Sequence, residues 1–154
     1  MVLGPHANDE NKKNSEMWRN TAAVIAGIVI GSLINMGLVI AGSAIIPPPE
    51  GMDVTSSDSI RENAHLFEFR HFLFPFLAHA LGTLAGGFSA AMLGKSHQLR
   101  LALGVAGFFL LGGIANTFMI PAPIWFNVTD LVVAYIPMGA LAFYLAALLK
   151  GEVA

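Results

Sequence analysis

HFLFPFLAHALGTLAGG, residues 71–87, is an apolar run with a histidine set into it, and its reading decides the fold. Carried on through FSAAMLG to Gly94, it contains no Asp, Glu, Lys or Arg. At about 1.5 Å per residue, a helix over 72–94 is long enough to cross a hydrocarbon layer of roughly 30 Å. Three more windows share this character, at 21–46, 101–120 and 130–149, the last opening on Asp130. The pattern predicts an all-α, polytopic membrane protein: a bundle of four transmembrane helices.

Composition agrees. The chain has 154 residues, 55% apolar and 12% charged, about half the charged share of a typical soluble protein, which is too little to cover a water-facing surface. A net charge of -2, with no run of Lys or Arg, gives no basic face for nucleic acid. Without cysteine there is no disulfide, thiolate metal site or CxxC redox chemistry. The bilayer is the expected partner.

Outward from the central run, residues 1–17 mix acids and bases without apolar periodicity and read as a short mobile tail; residues 18–150 form the transmembrane domain, and 151–154 a second tail. Trp18 and Arg19 sit where an interfacial anchor belongs. The apolar run that follows, although it holds the small residues Ala41, Ser43 and Ala44, is far longer than a signal-peptide core and reads as a retained helix. Pro47, Pro48 and Pro49 end it. Within the 47–70 connection, Thr55 to Ser57 offers a helix N-cap, and Ile60, Ala64 and Phe67 recur at helical spacing. That predicts a short amphipathic helix lying on the membrane or over the bundle mouth.

Pro75 reads either as a kink or as the opening residue of the second span; the latter is preferred and leaves His71 at the interface. Pro121 and Pro123 break the third span, Trp125 and Phe126 form an aromatic anchor, and Pro137 falls near the middle of the fourth span. Lys12, Lys13, Arg19, Lys95, Arg100 and Lys150 fall on one side of this topology; the other carries Arg61 and Arg70 among five acids. The positive-inside tendency then puts both termini in the cytoplasm and the 47–70 loop outside.

Small residues recur along every span: Gly27 and Gly31, then Gly82, Gly86 and Ala90, then Gly104, Gly107, Gly112 and Gly113, then Gly139, Ala142 and Ala146. In lipid, where burying apolar surface gives helices no net attraction, such stripes allow close backbone packing. His79 is more informative, because an ionisable group inside a bilayer faces the bundle and is a functional candidate. It shares its helix face with Gly82, Thr83 and Gly86. By residue count, Asn35, His79, Asn116 and Tyr135 lie at about one depth, roughly 5–10 Å to the loop side of the bilayer centre. Two readings stand: the four are interhelical hydrogen bonds, or, with Thr83 and Thr117, they line a polar pocket opening toward the 47–70 loop.

Asp130 reads as the N-terminal cap of the fourth span, pointing away from Tyr135 on an ideal helix. Its other role is an acceptor at the pocket mouth, with His65, His71 or Arg70 as partner. His65, His71 and Asp130 together would make a weak surface metal site. A b-type haem needs two placed histidines, and His71 lies too far along the helix from His79 to share an iron. No intramembrane carboxylate is expected for a di-metal centre. No cofactor or catalytic set is expected.

The run IPPPEGMDVTS followed by HLFEFRHFLFPFLAHALGTLAGG, with PAPIWF and D-x4-Y-x-P later, resembles a group of small bacterial four-helix membrane proteins of unassigned function. The likeness covers residues 20–149 and implies the architecture without an activity. Function is therefore expected to be non-enzymatic: binding or transport of a small solute or ion through the pocket, His79 being a side chain able to change charge near neutral pH. The alternative is an accessory subunit of a membrane complex. Either role allows a homo-oligomer formed through the glycine faces, in a bacterial inner membrane.

Overall fold

The computed structural model describes residues 5–53 and 56–152. The described elements, in order, are α1 (Pro5–Ile45), α2 (Ser57–Glu62), α3 (Leu73–Leu93), α4 (Gln98–Met119), α5 (Ile124–Val133) and α6 (Ile136–Lys150), with 3₁₀ turns at Ala64–Leu66 and Phe69–Phe72. Among the described residues there is no strand. Four helical segments are long and apolar enough to cross a membrane: Asp9–Ile45, Phe69–Leu93, Gln98–Met119 and Ile124–Lys150.

The chain's second span, α3, is the hub and packs against α1, α4 and α6. It can do so because its inward positions, among them Ala78, Gly82, Gly86 and Ala90, are small. Against α1 the approach is backbone to backbone. A Cβ on Gly27 would lie 2.5 Å from the Gly86 carbonyl oxygen, and one on Gly31 would lie 2.6 Å from that of Gly82. The relation is reciprocal, since a Cβ on Gly86 would come within 2.7 Å of the Gly27 oxygen. Two antiparallel glycine pairs therefore set the distance between the helices. The outer surface along the long helices is largely apolar, with Leu33, Leu111, Phe118 and Leu149 all more than two-thirds exposed, a surface suited to lipid rather than water.

One end of the bundle is tied by polar contacts. Asn20 accepts from the Lys95 amide at 2.9 Å and donates to Ser96 Oγ at 3.0 Å, while Lys150 Nζ donates to the Ala91 carbonyl at 2.9 Å. His97, which precedes α4 in this turn, has a left-handed backbone with φ 56°.

At the opposite end, the loop folds over the bundle. Arg61 on α2 donates from Nε and Nη2 to the Met119 carbonyl, at 3.2 and 3.1 Å, satisfying an acceptor at the C-terminus of α4. Phe69 stacks on Trp125, and Phe72 packs on Trp125 and Phe126 with ring centroids 5.5 and 4.8 Å apart. Ser56 caps α2, accepting from the Ser59 amide. Thr55, also considered for this cap, lies outside the described residues.

Several boundaries differ from the sequence expectation. α1 begins at Pro5, so from Pro5 onward the polar segment read as a tail is part of the first helix. Asp9 with Lys13, and Lys12 with Glu16, stand four residues apart with opposite charge and support that extension. Pro75 falls in the first turn of α3, whose amides lack helical partners, so its missing N–H costs nothing there. The largest difference is in the fourth span. It starts at Ile124, before Asp130, and is two helices, not one.

Candidate functional site

The break between α5 and α6 builds the site. Pro137 cannot donate to the carbonyl four residues back, that of Val133, and Val133 is the last residue of α5. Ala134 stays in the right-handed helical region, and Tyr135 departs from it, with φ -118° and ψ -82°. On a continuous helix, five residues would separate Asp130 and Tyr135 by about 140° around the axis. With the break, the Tyr135 hydroxyl donates to Asp130 Oδ2 at 2.9 Å. Gly113 on α4 gives the tyrosine its place, since a Cβ at 113 would collide with the hydroxyl.

Asp130 also holds His79. The imidazole Nδ1 lies 2.9 Å from both carboxylate oxygens, and the Asp130 side chain is 6% exposed. A carboxylate only accepts, so Nδ1 carries the proton in this bond and Nε2 is left as the second functional atom of the ring. Among the described residues, Nε2 has no hydrogen-bond partner. The tyrosine ring lies 5.8 Å from the imidazole, centroid to centroid, and fixes its orientation further.

Two cavities adjoin this pair. One, of about 290 Å³, sits under the loop and is lined by Arg70, His71, Thr117, Asp130 and apolar residues that include Ile60, Phe67 and Phe126. The other, of about 370 Å³, lies deeper and is lined by Asn35, Thr83, Tyr135, Ser32, Met36 and Phe109 among others. His79, Gly113 and Asn116 line both, so they form the partition between the two. Thr83 is 1% exposed and its hydroxyl has no partner. Nor, among the described residues, do the side-chain amides of Asn35 and Asn116 form hydrogen bonds.

No protein-family model, curated protein or solved structure matches this chain. The geometry therefore carries the functional reading.

The structure brings Asn35, His79, Thr83, Asn116 and Tyr135 around the deeper cavity, and Arg70, His71, Thr117 and Asp130 around the loop-side one. Two expectations are corrected. Asp130 is not a cap: α5 starts six residues earlier, and the carboxylate turns inward. Its partners are His79 and Tyr135; Arg70 pairs with Glu68 at 3.0 Å, and His71 Nδ1 accepts from the Glu68 amide at 2.9 Å. The weak metal trio of His65, His71 and Asp130 does not gather, and among the described residues no cluster of three His, Asp or Glu does.

A carboxylate therefore does lie within a helical segment long and apolar enough to cross a membrane, since Asp130 falls in Ile124–Lys150. Pro123 held the missed signal. Read as the opening of a helix rather than only the end of one, it puts Asp130 two turns inside an apolar segment. Ser32, Gly113 and the Arg61 clasp had no signal in the sequence, because each depends on which helices are neighbours.

Chemically, a carboxylate on Nδ1 orients the imidazole and leaves Nε2 able to accept a proton or a hydrogen bond. Thr83, one turn further along α3, adds a hydroxyl, and the two asparagines add amides.

Proposed function

We propose that this protein binds a small solute or ion at the partition between the two cavities and passes it across the membrane. The observation that carries this reading is the unused polarity of Asn35, Thr83 and Asn116. Side chains that serve as interhelical hydrogen bonds are engaged with a neighbouring helix, as His79, Asp130 and Tyr135 are. Asn35 and Asn116 instead line the cavity, and the Thr83 hydroxyl is buried beside it without a partner. A buried polar group without a partner costs stability, so its retention is best explained by a guest that supplies the partner.

In this reading the loop side faces outward, with both termini in the cytoplasm of a bacterial inner membrane. The clustering of Lys95, Arg100 and Lys150 near the opposite end supports that orientation. The 47–70 segment, α2 included, acts as a lid lying along the membrane surface over the loop-side cavity. The likeness to small bacterial four-helix membrane proteins fits the same picture.

The test is flux. Protein in liposomes is placed in gradients of glycerol or urea, with swelling followed by light scattering, and in a pH gradient with an internal pH dye. Faster relaxation than in protein-free vesicles, returning to the control rate in His79→Gln and Asn116→Leu variants that stay folded, supports the proposal. Equal rates with and without protein, for every probe, sink it.

A second reading has one observation in its favour. A Cβ at Gly104, Gly107 or Gly112 would meet nothing within 4 Å, so α4 presents bare backbone to its surroundings. Such a face admits another helix, from a second copy or from a larger complex to which this chain is accessory. Stoichiometric co-purification with that complex, together with an absence of flux, would favour it.

A further inference from the structure

The deeper cavity differs from the loop-side one in charge and in access, and both differences bear on its ligand. Its lining holds no Asp, Glu, Lys or Arg, whereas Asp130 and Arg70 line the loop-side cavity. With Nδ1 donating to Asp130, His79 presents a lone pair on Nε2, and Thr83 presents an unpaired, fully buried hydroxyl one turn away. Asn35 and Asn116 offer both donors and acceptors. A group that donates to Nε2 and accepts from Thr83 or an amide satisfies the wall, and an uncharged hydroxyl does both. A carboxylate would meet the imidazole lone pair and the nearby Asp130 charge in a medium of low dielectric. An ammonium would find no free carboxylate, because both oxygens of Asp130 are engaged.

Access is the second difference. Ser32, Met36 and Gly112 on the rim are exposed, and open space surrounds the Gly112 Cβ position. Ser32 and Met36 fall near the middle of the apolar run 21–46, and Gly112 lies about 5 Å along α4 from that helix's midpoint. α1 and α4 touch where Val105 and Phe109 lie against Gly27 and Gly31, and on the loop side of that contact the opening between them, bounded by Ser32, Met36 and Gly112, faces the bilayer interior. Met36 and Phe109 line the same opening and offer apolar contact.

We infer that the deeper cavity is a side entrance from the membrane, which receives the uncharged, hydroxyl-bearing head of a bilayer-dissolved amphiphile while its chain stays between α1 and α4. The inference rests on the solute-binding reading above and names the class of solute and its route. The hydroxyl bonds to His79 Nε2 and Thr83, and the amides of Asn35 and Asn116 complete the shell.

The test uses the full chain in nanodiscs of saturated phosphatidylcholine. Four probes are titrated: 1-monooleoylglycerol, oleate, oleylamine and free glycerol. Binding is read by native mass spectrometry and by the 15N resonances of His79. The expected result is saturable one-to-one binding of monooleoylglycerol, at least tenfold weaker for oleate and oleylamine, with a shift at His79 Nε2. Thr83→Val and Gly112→Phe each weaken it at least tenfold; the second alters a position with room for a side chain and so preserves the fold.

Oleate or oleylamine binding equally well overturns the uncharged class. Loss in neither variant, or in only one, overturns the side entrance. Glycerol binding without monooleoylglycerol also overturns it, but leaves the proposed function standing, with a soluble guest arriving through the loop-side cavity. Binding of no probe overturns the inference, and the swelling assay then decides separately on the reading beneath it.

Discussion

Tyr135 donates its hydroxyl to Asp130 at 2.9 Å across the break between α5 and α6. The same carboxylate takes Nδ1 of His79 from α3. One acidic residue thus joins the broken span to the hub of the bundle. Tyr135 is 2% exposed, so its hydroxyl has no water to turn to if the carboxylate is lost, whereas the His79 side chain, 19% exposed, does.

Removing the carboxylate should therefore cost more than removing one donor. Tyr135→Phe is expected to lose about 1 kcal/mol, and Asp130→Ala roughly 3 kcal/mol, since the buried tyrosine hydroxyl and the part-buried imidazole then both lose their acceptor. Reversible unfolding in mixed detergent micelles measures both. Equal losses would mean that His79 and Tyr135 are held independently of Asp130.

Thr83 should behave in the opposite way. Its hydroxyl is buried without a partner, so Thr83→Val, which keeps the shape, is expected to leave stability unchanged or raise it by about 1 kcal/mol. The same change should weaken ligand binding. A protein that gains stability and loses its ligand is the signature of a polar group kept for function; a clear loss of stability would assign Thr83 to structure.

The glycines divide by neighbour. Gly31→Ala places a methyl 2.6 Å from the Gly82 oxygen, which is backbone and cannot step aside, so α1 and α3 must separate at a cost of about 1–3 kcal/mol. Gly107→Ala meets nothing and removes a poor helix former from α4, for a gain of up to about 1 kcal/mol. The same unfolding assay compares them. If Gly107→Ala instead disrupts a complex isolated in native membranes, that face is occupied by a partner.

His97 holds a left-handed backbone that ordinary L-residues adopt at a cost of roughly 1–2 kcal/mol. His97→Gly should relieve part of it and raise stability by about 1 kcal/mol, seen as a higher detergent or thermal midpoint. No gain would mean that the imidazole forms a compensating contact at the membrane surface.

Arg61 fastens α2 to the end of α4 through the Met119 carbonyl. Arg61→Ala is expected to speed amide exchange in α2 and the adjoining turns while changing overall stability by less than about 1 kcal/mol, as for an exposed contact. Exchange mass spectrometry reads this peptide by peptide. Faster exchange throughout the bundle would make the clasp structural rather than a latch on the loop-side cavity.

The four long apolar helical segments and the polar positions set along them were readable from the chain alone. They rest on local quantities: the length of an uncharged run, the spacing of small residues along one helix face, and the depth of Asn35, His79, Asn116 and Tyr135 counted along each segment. Tertiary structure decided the rest. Asp130 looked like a cap because its segment was taken to open there, and it looked remote from Tyr135 because a straight helix turns the two apart. The start at Ile124 moved the carboxylate inside, and the break forced by Pro137 turned the tyrosine back to it. Whether an asparagine in an apolar helix bonds to a neighbour or faces a cavity depends on which helix lies opposite and how closely. At Gly27, Gly31, Gly82 and Gly86 that separation is set by backbone against backbone, a relation between segments that no single segment contains.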